Sequence, residues 1–331
     1  MPLDANPDET QPRVAVIGTG RMGPHIALAF AAGGCSTHLV GRGESQLDRA
    51  RTGIGEALDL MVERGLASRE VAGEAIARVG ASTNLDDIGT ADIIVEATPE
   101  VLAEKRALFS QIEALARDDA ILASNTSGLP ITRIASGLRH PQRLVGMKFV
   151  IPAHLVPLVE VVKGAETDAE VMERACEVLN RIGKRPVKVL HDVPGFLNNR
   201  VQQAMRREAF SLVARGIASA GDVDAAVQWG FGFRLLASGP LESADHVGLE
   251  QILRIHSYIL PDLDPPSEPS PHLRELIAEG KTGASAGHGF LAWDAERERA
   301  VTRRMETVMI ETLKLLQRLD DTSPDASVES R

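Results

Sequence analysis

The 331-residue chain is 44% hydrophobic, enough for a sizeable core, and its length suggests two domains or one large domain with an appendage. Its formal net charge of −10 argues against nucleic acid or an anionic membrane as partner, since either selects a basic face. No apolar run approaches the roughly 18 residues that span a bilayer, and two distant cysteines (Cys35, Cys176) with a polar, acidic N-terminus read as a cytoplasmic protein with buried thiols.

Residues 1–12 are expected to be disordered. "RVAVIG" (13–18) is a short β-branched run ending in glycine, and "TGRMGPHIALAFAAGG" after it has helical periodicity. "STHLVGR" (36–42) reads as a second strand, and residues 44–80 as a pair of helices, long for a simple crossover. Further apolar runs at 91–97, 119–125 and 143–150 alternate with helical patterns. "PLVEVVKG" and "RPVKVLHD" add strands around a helix at 168–182. This alternation predicts an α/β fold, a doubly wound and mainly parallel sheet covered by helices on both faces. At "HDVPGFLNNR" the character changes. Helices are expected at 196–218, 221–229, 241–258, 270–279 and 293–318, with "PDLDPPSEPSP" (261–271) as a loop and a disordered tail at 319–331. The boundaries are therefore 13–192 for the α/β domain and 193–318 for an all-helical one.

Gly18, Gly20 and Gly23 form G-x-G-x-x-G between a strand and a helix, the fingerprint of a Rossmann-type dinucleotide site. The first glycine permits the turn, the second lets the backbone approach a pyrophosphate, and the third lets helix pack on strand. Arg21 and Met22, between the second and third glycines, join them as cofactor candidates. An NAD site places Asp or Glu at the end of the second strand. Here Gly41 and Arg42 stand there, and a guanidinium suits a 2′-phosphate. The expectation is NADP(H), with NAD(H) as the alternative, and no metal.

This loop, together with "ASNTSGLPI" (123–131), "PLVEVV", "DVPGFLNNR", "GPLESADHVGL" and "KTGASAGHGF" (281–290), resembles the 3-hydroxyacyl-CoA dehydrogenase family. The resemblance runs over about residues 12–295. It is nearest to a bacterial subgroup with a "PPHL-PLVEV" pattern, some of whose members act on substrates other than acyl-CoA. It implies catalysis by a His–Glu pair that moves a proton at the substrate's 3-hydroxyl while hydride passes to or from nicotinamide. Carried onto this chain, the glutamate is Glu160, and the substrate-contacting serine and asparagine are Ser127 and Asn199. Cofactor contacts fall on Glu100, Lys105 and Lys281. The histidine's place holds Lys148, and a cofactor-contacting asparagine is replaced by Ile151. His154 matches a proline-adjacent histidine of the subgroup, not the catalytic one.

"LVGMKFVIPAHLVPLVEVV" (144–162) reads as two buried strands joined by a proline-rich turn, where ionisable groups are expensive. A carboxylate beside Lys148 would keep it charged. A charged lysine is a poor base for alcohol oxidation but an adequate acid and oxyanion stabiliser for ketone reduction. With Arg42 this favours an NADPH-dependent reductase of a 3-keto group. The alternatives are a structural ion pair in a dead site, or a lysine turned to solvent.

The helical arm after the second strand helps hold the CoA nucleotide in the family. Here residues 44–79 contain no lysine and carry five arginines against seven acids, a net of −2. That field does not draw three phosphates, which favours a free or carrier-free β-keto compound over a CoA thioester, within a substrate class of β-keto or 3-hydroxy acids or acyl-type compounds. Two other readings stand beside the ketoreductase: an NAD-dependent 3-hydroxyacyl-CoA dehydrogenase using Lys148 in the histidine's place, and a dinucleotide-binding protein without turnover. The expected partners are a small-molecule substrate and a second copy of the chain. The resemblance implies a homodimer through the helical domain, where "VQQAMRREAFSLVARGI" and "VTRRMETVMIETLKLLQRL" carry apolar stripes.

Overall fold

A computed structural model describes residues 11–263 and 268–322. The expected disorder up to residue 10 and beyond residue 322, and the middle of the 261–271 loop, lie outside the described residues, whereas residues 319–322, expected to be disordered, continue the last helix. The chain divides into two compact units, Met1–Leu197 with Glu306–Arg331, and Asn198–Met305.

The first unit runs β1 (Val14–Ile17), α1 (Gly23–Ala32), β2 (Thr37–Val40), α2 (Glu44–Glu63), α3 (Arg69–Ala77), β3 (Val79–Ser82), β4 (Ile93–Glu96), α4 (Leu102–Leu115), β5 (Ile121–Ser124), α5 (Ile131–Ala135), β6 (Leu144–Phe149), β7 (Leu158–Val162), α6 (Ala169–Arg181) and β8 (Arg185–Val189). Its eight strands form one sheet in the order β3-β2-β1-β4-β5-β6-β7-β8. All neighbours are parallel except β6 and β7, which pair antiparallel. The central strands are apolar on both faces because both are covered. Val14, Val16, Ile93 and Val95 pack against α1 and α6, while Ala15, Ile17 and Ile94 pack against α4 and α5. Full burial of each valine or isoleucine among them contributes about 1.5–3 kcal/mol. Just past the end of α1, a side chain on Gly33 would meet Ile182, which follows α6, at 2.3 Å from its Cβ.

The second unit carries α7 (Asn198–Ala214), α8 (Ala220–Trp229), α9 (Pro240–Val247), α10 (Leu249–Ile259) and α11 (Pro271–Ala278), and α12 (Ala295–Thr322) begins in it. It is helical throughout its described elements.

Two local expectations are corrected. The end of the anticipated helical pair is a strand, β3, hydrogen-bonded to β2. It is short, partly exposed and at the sheet edge, so no buried face marks it in the sequence. The helix anticipated over 241–258 is two, because Gly248 adopts φ 100°, a left-handed conformation open to glycine that stops one helix and starts the next. Among the described residues no helix is long and apolar enough to cross a membrane. Both cysteines are buried and free, and burial pushes the Cys35 thiol up to about 12.

Candidate active site

The glycine turn is built by exclusion. Gly18 has φ 120°, and a Cβ there would lie 2.6 Å from Ala97 O. A Cβ on Gly23 would sit 1.7 Å from Gly18 O, so the third glycine is fixed by the first. A Cβ on Gly20 would meet nothing within 4 Å. The cradle is thus closed on the protein side and open in front, as a pyrophosphate at the start of α1 requires. Met22 caps α1 and its carbonyl accepts from Ile26 N, while Pro24 occupies the first turn, where no amide hydrogen is needed. Arg21 is exposed at the turn.

At the end of β2, Gly41 is buried, and a Cβ there would meet Thr19 Cγ2 at 2.8 Å and Leu47 Cδ2 at 2.9 Å. A carboxylate cannot be placed at this position without moving both neighbours. Arg42 follows, exposed.

Lys148 and Glu160 are directly opposite in the antiparallel β6–β7 ladder, so the twelve-residue separation is closed by register. The Lys148 ammonium donates to Glu160 Oε2 at 2.5 Å, with side chains 7% and 0% exposed. Lys148 is therefore not turned to solvent. The other carboxylate oxygen, Oε1, accepts from Leu197 N at 2.7 Å. That amide is presented by two successive left-handed residues, Gly195 (φ 78°) and Phe196 (φ 52°). The latter conformation costs a bulky residue about 1–3 kcal/mol and is held by complete burial of its ring. At the end of β6, Phe149 N donates to Asn125 Oδ1 at 2.9 Å. The backbone aims the pair; neither member is free to swing.

A second network surrounds the loop after β5. Glu100 Oε1 accepts from Thr126 Oγ1 (2.5 Å), Ser127 N (2.9 Å), Ser127 Oγ (3.2 Å) and Gly128 N (3.0 Å). Burial pushes the Glu100 carboxyl up, but the Thr126 hydroxyl, the Lys105 charge and the loop amides outweigh it and hold it below the usual range. Glu100 fixes the position of exposed Ser127. Lys105, expected among the cofactor contacts, is only 1% exposed. Its ammonium donates to Glu96 Oε1 at 2.6 Å and Thr98 O at 3.2 Å, with Glu100 Oε2 3.7 Å away. Its contacts are thus made inside the protein, to the two glutamates and the Thr98 carbonyl. Glu96, fully buried at the end of β4, also accepts from Thr98 and Ser124, and sequence reasoning missed it. The signal was there: a carboxylate closing an otherwise apolar strand.

In the turn after β6, Ile151 is half exposed and His154 is buried. The His154 ring stands edge-on to His25 of α1, centroids 4.7 Å apart, and both Nδ1 atoms are buried without a hydrogen-bond partner. Burial, then the neighbouring His25 and Lys184, lower the His154 pKa to about 3. Such a group stays neutral near pH 7 and is no proton donor. On the second unit, Asn199 lies in the first turn of α7, and Lys281 pairs with Glu279 at 2.7 Å.

A doubly wound sheet with this open glycine cradle defines a dinucleotide-binding protein. Comparison with known proteins gives the family. Residues 13–193 match the NAD binding domain of 3-hydroxyacyl-CoA dehydrogenase, and residues 195–293 match its C-terminal domain. The chain belongs to the 3-hydroxyacyl-CoA dehydrogenase family, enzymes acting on 3-hydroxy groups. It is 32% identical over 308 residues to a 5-formyl-3-hydroxy-2-methylpyridine 4-carboxylate 5-dehydrogenase of Mesorhizobium japonicum, covering 92% of this chain and 98% of that one. It is 35% identical over 285 residues to the human mitochondrial hydroxyacyl-coenzyme A dehydrogenase, covering 84% and 90%. The crystal structure of a 5-dehydrogenase of the same pyridine carboxylate, described as an NAD+ dependent dismutase, superposes with a TM-score of 0.85 at 30% identity over 93% of this chain and 99% of that one.

Proposed function

We propose that the enzyme is a cytoplasmic ketoreductase that converts a 3-keto to a 3-hydroxy group, with NADPH as the preferred donor. The observation that carries this reading is the Lys148–Glu160 contact of 2.5 Å in a buried strand pair. The bound dinucleotide supplies hydride to the carbonyl carbon. Lys148 gives a proton to the carbonyl oxygen as negative charge develops there, and Glu160 orients the ammonium and stabilises its charged form. Solvent then restores the proton to the amine. Ser127, held by Glu100 through its amide, contacts the substrate with its hydroxyl, which turns from Glu100 to do so. Asn199 and Lys281 enter the proposal through the family motifs alone. In the cradle, Gly18, Gly20 and Gly23 with the amides of Arg21 and Met22 hold the pyrophosphate, and Arg42 holds the 2′-phosphate.

The test is absorbance at 340 nm with NADPH and with NADH against 3-oxo acids, esters and CoA thioesters. Consumption of NADPH with a free 3-oxo acid is expected. Preference for NADH would remove the NADPH part of the reading, and absence of turnover with every compound would remove the reductase. A second reading, an NAD-dependent 3-hydroxyacyl-CoA dehydrogenase with Lys148 in the histidine's place, is favoured by the likeness to the human enzyme. It predicts thioester turnover with NADH. The pyridine carboxylate named for the Mesorhizobium relative supports a free acid as substrate.

We further propose a homodimer through the helical unit. Among the described residues from Asn198 to Met305, the buried hydrophobic side chains are Val223 and Leu276, while Trp229, Phe233, Leu241, Leu249 and Leu253 are exposed. So little burial cannot offset the conformational entropy of about 100 ordered residues, and a second copy would supply the missing core. Light scattering at micromolar concentration should report two chains; a stable monomer would contradict it.

A further inference from the structure

A cavity of about 420 Å³ is lined by Thr19, Gly20 and Arg21 of the glycine turn and by Arg49, Ala50 and Gly53 of α2. Because Gly20 lines it, and a Cβ on Gly20 would meet nothing within 4 Å, it is the open front of the cradle. α2 lies outside the glycine fingerprint, yet positions 49, 50 and 53 share one of its faces by helical spacing. That face is cut low on either side of the arginine. Nothing lies within 4 Å of where a Gly53 Cβ would be. A mid-helix glycine costs about 0.8–1 kcal/mol against alanine, and here it leaves room beside the Arg49 stem. The charge around the cavity is one-sided. No carboxylate lines it. Asp48, next to Arg49, is engaged by Arg51 at 2.9 Å, and neither Arg21 nor Arg49 has a hydrogen bond or ion pair to another described residue. The Arg21 charge is felt inside the site: after burial, it is what lowers the pKa of His25 in the first turn of α1.

Resting on the cradle as the dinucleotide site, we infer that Arg49 of α2, with the side chain of Arg21, clamps the cofactor's pyrophosphate. The pyrophosphate carries two negative charges, whereas a helix N-terminus offers the equivalent of about half a positive charge. The fingerprint alone therefore leaves most of that charge unanswered. Two unpaired guanidiniums make up the difference, and their planar forks suit phosphate oxygens. Arg42 does not line this cavity, so its task at the 2′-phosphate is separate from that of Arg49. Coenzyme A also contains a pyrophosphate, but one wall of this cavity is the dinucleotide's own glycine turn, which selects the cofactor as occupant. A dinucleotide seated here touches α1 and α2 together, so binding it also steadies α2. In this arrangement Arg49 serves NADH and NADPH alike and takes no part in proton or hydride movement.

The experiment is calorimetric titration of the wild-type enzyme, Arg49→Gln and Arg42→Ala with three probes. ADP-ribose has the pyrophosphate and lacks both nicotinamide and 2′-phosphate; 2′-AMP has a 2′-phosphate and no pyrophosphate; coenzyme A is the rival source of a pyrophosphate. Arg49→Gln should weaken ADP-ribose by about tenfold or more, the lower end for a lost charge-assisted hydrogen bond, and leave 2′-AMP within about twofold. Arg42→Ala should do the reverse. ADP-ribose held by Arg49→Gln within about twofold of the wild-type affinity overturns the inference. So does a loss confined to coenzyme A, a loss of 2′-AMP as large as that of ADP-ribose, or a wild-type enzyme that does not bind ADP-ribose. Amide hydrogen exchange of the wild-type enzyme adds a readout that needs no variant: ADP-ribose should slow exchange over residues 46–54, and unchanged exchange there overturns the inference too. The ketoreductase reading fails separately. An enzyme that prefers NADH, or that reduces no 3-oxo compound, would end that reading, while ADP-ribose still decides the role of Arg49.

Discussion

Replacing Lys148 with methionine removes one charge from a buried pair and keeps most of the stem's volume. At 2.5 Å, with an effective dielectric constant of about 20, the gross attraction between two unit charges is about 7 kcal/mol. Desolvation of both ions opposes it. What the substitution costs is set mainly by the carboxylate left behind, 0% exposed with the Leu197 amide on one oxygen. Breaking such a pair costs about 3–5 kcal/mol, a fall in melting temperature of roughly 6–20 °C for a unit of this size. If Lys148 is also the proton donor, kcat drops by roughly 10²–10⁴, with little change in cofactor affinity. The double variant Lys148→Met/Glu160→Gln separates the two effects, because it removes the orphaned charge. It should regain most of the melting temperature and none of the rate. Calorimetry and single-turnover stopped-flow on the same preparations decide it. Wild-type turnover in Lys148→Met would refute the catalytic assignment, and a double variant no more stable than the single one would refute the buried-charge argument.

Arg42→Ala should weaken NADPH by about 1.5–3 kcal/mol, the worth of a charge-assisted contact, and leave NADH nearly unchanged; fluorescence titration reads both, and equal losses would remove the 2′-phosphate role. Gly20→Ala should fold normally, since its Cβ enters open space, yet lose dinucleotide affinity. Gly23→Ala should fail to fold or melt far lower, its Cβ meeting Gly18 O at 1.7 Å; similar melting temperatures for the two would contradict the cradle geometry. His154, near 3 in the folded protein against an ordinary 6.5, makes stability depend on acid. The unfolded chain takes up a proton below about pH 6.5 and the folded one does not, so stability present above that pH is lost as pH falls toward 3. The loss by pH 5 is on the order of 2 kcal/mol. His154→Leu should flatten melting temperature against pH in that window, and an unaltered slope would reject the assignment.

The glycine cradle was legible because Gly18 and Gly23 answer steric demands inside the protein and Gly20 leaves the open space in front of the turn. The Lys148–Glu160 pair was expected from the family resemblance, which carries its His–Glu pair onto these positions. Two apolar runs joined by a proline-rich turn make a strand pair, and register alone decides which residues face each other. Sequence cannot supply that register, and here Lys148 falls opposite Glu160. β3 escaped because an edge strand of four half-exposed residues has no buried alternation to show. Gly248 escaped because one glycine inside a helical pattern is usually tolerated, and only φ 100° shows that this one is not. Glu100 and Lys105 were expected at the cofactor. The Glu96–Lys105 contact joins the ends of different elements and reads as such only in three dimensions. Arg49 and His25 had no motif, and their common cavity is created by the packing of α1, α2 and a distant turn.

The closeness of Thr19 and Leu47 to Gly41 bears on how this protein's coenzyme choice could change over evolutionary time. Converting a 2′-phosphate site to one for a bare ribose ordinarily takes one substitution, an acid at the end of the second strand. Here that step collides with the Thr19 methyl group and with Leu47, which is wholly buried. A lineage would first need a smaller residue at 19 and a shortened one at 47, and neither is useful until the acid arrives. Three changes that are neutral or harmful alone form a barrier to drift, so an acid is kept from position 41 by packing as well as by any selection on the coenzyme.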